Sequence, residues 1–187
     1  MKLCYRLLSF GLLASAFAGA TKSYGQILSN TPSVTLNATL SESLTIAATP
    51  SNVNFTLVAG GTATGSAPVA ITTTWVLAQG RANVVLDGYF ASSTAALASG
   101  APVSNIPSSA VYGLMSTGTP TTYTAFTQTA ALGTASAGLT LFTQALTSSN
   151  RNANRTDNLS LQINLTSIPQ LPAASYSGSL ILAAQAL

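Results

Sequence analysis

The chain has 187 residues, only 5% of them charged and none of them histidine. The commonest general base and the commonest metal ligand are therefore missing, which excludes a Ser-His-Asp triad and an ordinary zinc or copper site. The formal net charge of +3 owes much to Lys2, Arg6 and Lys22 near the start. Beyond Gly25, Arg81, Arg151 and Arg155 balance Glu42, Asp87 and Asp157, and so neutral a surface cannot match a run of phosphates, so no nucleic-acid partner is expected.

Residues 1–20 have the pattern of an export signal. Lys2 and Arg6 form a basic start, Leu7 to Phe17 an apolar stretch, and Ala18-Gly19-Ala20 a small-residue cleavage site. Ser23-Tyr24-Gly25 offers a second cut, before Gln26. The apolar run falls short of the roughly 20 residues that a spanning helix needs, so no membrane span is expected after cleavage. Cys4, the only cysteine, leaves with the signal, so the exported chain must be held together by its core without a disulfide.

Thr21–Pro32 is polar and weakly patterned, a leader before the first regular segment. From residue 33 to 187 the pattern predicts one β-sandwich domain. Val34, Leu36, Ala38 and Leu40 alternate with Ser33, Thr35, Asn37 and Thr39, which puts the apolar set on one face of a strand. The same period of two recurs over 53–57, 69–77 and 159–165, and further strands are expected over 43–48, 82–90, 109–116, 121–128, 139–146 and 175–186. Turn-forming clusters such as Thr49-Pro50-Ser51-Asn52 and Gly118-Thr119-Pro120 separate them. About ten short strands with such turns indicate an all-β sandwich or barrel. After the signal helix, the best helix candidate is Ser92–Ala98, one or two turns at most, with a loop as the alternative. The last strand is apolar on both faces, which places it inside a sheet or between two sheets. Trp75 is expected between the sheets.

Chemistry is sparse. Glycoside hydrolysis needs two flanking carboxyl groups. The three late carboxylates read instead as ion-pair or turn residues, so no catalytic residue, cofactor or metal site is assigned. The polar run Asn150–Asp157 reads as a hairpin loop, and Arg151, Asn152, Asn154, Arg155 and Asp157 are the candidate ligand-binding residues in it.

The two ends of the exported chain carry a resemblance. The opening is Ser33-Val34-Thr35-Leu36-Asn37-Ala38-Thr39-Leu40, followed by Leu44-Thr45-Ile46. The close is Leu171-Pro172-Ala173-Ala174-Ser175-Tyr176-Ser177-Gly178-Ser179-Leu180. Together they resemble bacterial fimbrial subunits of the alternative chaperone–usher type and the related spore-coat-U-like domains. Pro172, Ala173, Tyr176 and Gly178 match the family's closing strand; Ala174 stands where it usually has Gly and Leu180 where it usually has Val. The resemblance implies a single immunoglobulin-like antiparallel β-sandwich, self-association by strand addition, and chaperone and usher partners. Val34, Leu36, Ala38 and Leu40 would be the inserting face, unless 33–40 is the domain's own first strand. The expected function is a secreted, non-catalytic structural or adhesive cell-surface protein. A carbohydrate- or receptor-binding module and an outer-membrane β-barrel are the alternatives.

Overall fold

The computed structural model describes residues 27–127, 134 and 137–187; the expected export signal and both expected cleavage positions lie outside them. The chain divides into two units, residues 1–38 and 39–187. In the first, the described residues 27–38 are chain without regular secondary structure, and every one is exposed.

The second unit holds eleven described strands: β1 (Ser43–Thr49), β2 (Thr62–Thr64), β3 (Val69–Val76), β4 (Asn83–Phe90), β5 (Leu97–Ser99), β6 (Ser104–Ile106), β7 (Val111–Met115), β8 (Thr124–Ala125), β9 (Leu139–Ala145), β10 (Asn152–Asn164) and β11 (Leu180–Ala186). One sheet has the order β1-β3-β10-β7-β8, with β2 also on β10, and the second has the order β11-β4-β9. All pairings are antiparallel. The two sheets pack on a shared core, and the fold is an all-β sandwich of immunoglobulin-like layout. The barrel alternative calls for one closed sheet, whereas these sheets are open and face each other across a filled interior.

Local sequence explains the strands that face the core. In β3, Val69, Ile71, Thr73 and Trp75 point inward and are buried, while the residues between them face out. Trp75 is 2% exposed, and its indole N–H donates to the carbonyl of Asn150 at 2.8 Å. In β10, Leu159, Leu161 and Ile163 form the inward set. Phe90 and Phe126 meet edge to face, ring centroids 5.5 Å apart, beside Leu141 and Met115 in the core.

The structure corrects several expectations. Ser92–Ala98 is not helical; it runs as irregular chain into β5, and a short 3-10 turn at Ser108–Ala110 is the only described helical element. The run Asn150–Asp157 is not a hairpin loop. From Asn152 onward it is the first half of β10, paired along its length with β3. Its inward positions carry Arg155 and Asp157 instead of apolar residues, and the ion pair between them lets a polar sequence occupy a sandwich interior. Residues 53–57 keep their alternation but belong to no strand. The last strand is shorter than expected and lies at a sheet edge. Residues 33–42 lie in no strand of the chain.

Candidate assembly groove

The groove starts from the position of β11. Its residues are apolar on both faces, the composition of a strand with neighbours all round, yet among the described strands β11 pairs with β4 only. No described strand stands beside its other edge over Leu180–Ala184. All seven of its residues are half-buried.

Across the sandwich from β11 lies β1, the edge of the larger sheet. Near Leu44 the two strands come together, with Ala184 and Ala186 lining the same small cleft as Leu44 and Leu77. At the other end they diverge. After Thr49 the chain leaves the sheet, and residues 50–58 run on without a ladder. The result is an open groove of about 1030 Å³ between the sheets. Val53, Phe55 and Leu57 form one bank; Leu171, Tyr176, Leu180 and Leu182 form the other. At its base are Val69, Phe90, Val111, Leu161, Ile163 and Leu165, residues of the core itself. Here the interior opens to one side, beside Leu180 and Leu182 of β11.

The closing sequence motif has a local physical basis at one bank. The Tyr176 hydroxyl donates to the carbonyl of Pro172 at 2.8 Å, which ties the loop into a corner. Ser177 exchanges backbone hydrogen bonds with Ala98, N–H to O at 2.9 and 3.0 Å. Gly178 then passes so close to the carbonyl oxygen of Ala96 that a Cβ would collide with it. Pro172, Tyr176 and Gly178 thus set the path by which the chain enters β11.

The opposite end of the domain is polar. Glu42, just before β1, forks onto Arg81 in the turn between β3 and β4: Nε donates to Oε1 at 3.2 Å and Nη2 to Oε2 at 3.1 Å. The Ala78 N–H donates to the same Oε1 at 2.8 Å, and Arg81 Nη1 reaches the carbonyl of Ala186 at the end of β11 at 3.2 Å. The hydrogen bonds from Arg81 and then Ala78 hold the Glu42 carboxyl below the usual carboxylate range, and the same pairing holds Arg81 above its own. Arg151 donates to the carbonyls of Ala78 and Arg81.

The sequence-predicted residues separate into different places. Val34, Leu36 and Leu40 are 81%, 88% and 83% exposed, and Ala38 is exposed too. These apolar residues of the alternating run therefore stand in solvent. The candidate ligand set does not converge. Arg151 belongs to the polar end, Asn152 and Asn154 face outward from β10, and Arg155 and Asp157 face inward. Arg155 donates from Nε to Asp157 Oδ2 at 2.6 Å and from Nη2 to Oδ1 at 2.9 Å, and Thr117 Oγ1 also donates to Asp157. These are internal bonds and leave little for a ligand. Sequence reading missed the groove and the Glu42–Arg81 pair. The both-faces apolar character of the last strand was the available signal for the groove. No protein-family model matches this sequence, and no curated protein and no solved structure is significantly similar to it.

Proposed function

We propose that this chain is a secreted, non-catalytic structural subunit of a bacterial cell surface that assembles by strand addition. Residues 33–40 of one copy would fill the groove of the next. The observation that carries the reading is the pairing of an open groove, lined in part by core residues beside a β11 edge, with an exposed segment of alternating apolar residues. A small apolar molecule could cover the groove, but only another backbone also satisfies a sheet edge. Eight residues in strand conformation span about 26 Å, enough to run the length of seven-residue β11. Val34, Leu36, Ala38 and Leu40 would then face the core, and Thr35, Asn37 and Thr39 the solvent. Each Val or Leu so buried contributes about 1.5–3 kcal/mol.

The geometry also favours one polarity. β11 runs towards the polar end, where β1 and β11 close the groove, and the leader leaves the domain at that same end. A donated strand antiparallel to β11 brings its own domain to the open end of the groove. The polar end of one copy then abuts the uncharged end of the next, and the contact can repeat without limit. The parallel alternative would set two polar ends and two leaders against each other.

The test is negative-stain microscopy and sedimentation of the secreted protein, alone and as the Leu36→Asp variant. Filaments or oligomers in the wild type that are lost in the variant are expected. Strictly monomeric wild-type protein at high concentration overturns the reading. A synthetic peptide of residues 33–40 should also raise the Tm of the Leu36→Asp variant. The gain is about 2.7 kcal/mol when the peptide stands at 100 times its Kd.

A further inference from the structure

The polar end of the domain is where its solvent-facing charge is gathered. Of the six charged residues among the described ones, Asp87 and Asp157 are buried, and Arg155 is turned inward onto Asp157. The other three, Glu42, Arg81 and Arg151, all meet at the root of the leader. Their bonds tie together four separate pieces of chain. Glu42 holds the Ala78 N–H and Arg81; Arg81 holds the end of β11 at Ala186; and Arg151, from the turn before β10, holds the carbonyls of Ala78 and Arg81. Residues 27–43 are exposed throughout, so the Glu42 side chain is what fastens the chain immediately before β1.

We propose that Glu42 and Arg81 are positioning residues that fix the point and direction at which the leader leaves the domain, and so set the stiffness of the joint between successive copies. This rests on the strand-addition reading. With residues 33–40 held in a neighbour's groove and Glu42 held on its own domain, Ser41 is the only unfastened residue between two rigid bodies. From Leu40 to Glu42 the chain spans at most about 7 Å, so the two domains lie against each other. Adjacent domains joined by so short a link cannot swing independently, and the assembly becomes a rod. Without the clasp, the fastened chain starts only at the first ladder pairs of β1 with β3, around Ser43 and Leu44. The link then lengthens and the copies can bend about it. An exposed ion pair is screened by salt, so the joint softens as ionic strength rises.

Two measurements test this, and the first does not depend on assembly. In the secreted chain carrying Leu36→Asp, backbone relaxation should rise from order parameters below about 0.6 in residues 33–40 to about 0.85 at Glu42. In Glu42→Ala and Arg81→Ala versions, the rigid boundary should move to Leu44, with the Tm of the domain essentially unchanged. An unmoved boundary overturns the proposal. The second measurement is the curvature of filaments from otherwise wild-type chains. Glu42→Ala filaments should lose about half of their persistence length or more, because removing one short constraint frees the joint, and wild-type filaments in high salt should shift in the same direction. Variant filaments as straight as wild type overturn the proposal while leaving strand addition standing. Absence of any wild-type filament overturns strand addition, and the relaxation measurement still decides whether the clasp fixes the leader's root.

Discussion

Arg155 and Asp157 stand two positions apart on β10 with their side chains on the same, inward face, paired at 2.6 Å beneath the loop that holds Thr117. Asp157 is almost fully buried, and the guanidinium of Arg155 also lies over the ring of Phe142, 4.6 Å from its centroid. Removing one partner leaves a buried charge without its counter-ion, which costs about 3–5 kcal/mol. Arg155→Leu should therefore lower the urea midpoint sharply. The double variant Arg155→Leu/Asp157→Leu should lose less than Arg155→Leu alone, because no charge is stranded. Equilibrium urea unfolding of the wild type, Arg155→Leu and the double variant checks this.

Thr73 presents the opposite case. Its side chain is fully buried between Ile71 and Trp75 on β3, and its Oγ1 finds no hydrogen-bond partner among the described residues. Replacing the hydroxyl with a methyl keeps the shape and removes an unsatisfied polar group. Thr73→Val should stabilise the domain by about 1–2 kcal/mol, read as a higher Tm in calorimetry.

Gly178 is required by contact rather than by backbone angle. A Cβ there would meet the Ala96 carbonyl oxygen, which is backbone and cannot swing away as a side chain could. Gly178→Ala should cost about 1–3 kcal/mol through the displacement it forces on the entry to β11. Gly100, around which a Cβ meets open space, is the control: Gly100→Ala should leave the urea midpoint nearly unchanged.

Acid should release the leader's root. The folded-state pKa of Glu42 lies below its ordinary value because Arg81 and the Ala78 N–H bond to its charged form. The contribution of the clasp is therefore complete above the unfolded-state pKa and is lost as pH falls through the lowered folded-state value. Arg81, held above its ordinary value, stays charged throughout this range. The Ala78 amide resonance should titrate with a midpoint below that of an ordinary glutamate, and this shift should vanish in Glu42→Gln.

Much of the sandwich was legible because a strand with one face on a core writes its period of two into the sequence locally. Val69 to Trp75 and Leu159 to Ile163 show it, and both runs are strands with the expected inward faces. Trp75 sits between the sheets as its setting implied. The first half of β10 was not legible, because Arg155 and Asp157 occupy inward positions and satisfy each other only once the strand is in place. The alternation of Val53, Phe55 and Leu57 predicts one face of a strand; the three do share a half-buried face, but they line a groove and form no ladder, which depends on what stands opposite.

By itself the sequence determined that the chain builds antiparallel β-structure, keeps a charge-poor surface and offers no histidine or cysteine beyond Cys4 for chemistry. Only the tertiary structure decided that β11 ends at an edge, that the core opens beside it, and that Glu42 reaches Arg81 at the leader's root. Periodicity is a property of neighbouring residues in one segment and survives in the sequence. A missing neighbour, a groove and a clasp are relations between segments tens of residues apart, and they come into being only when the sheets have packed.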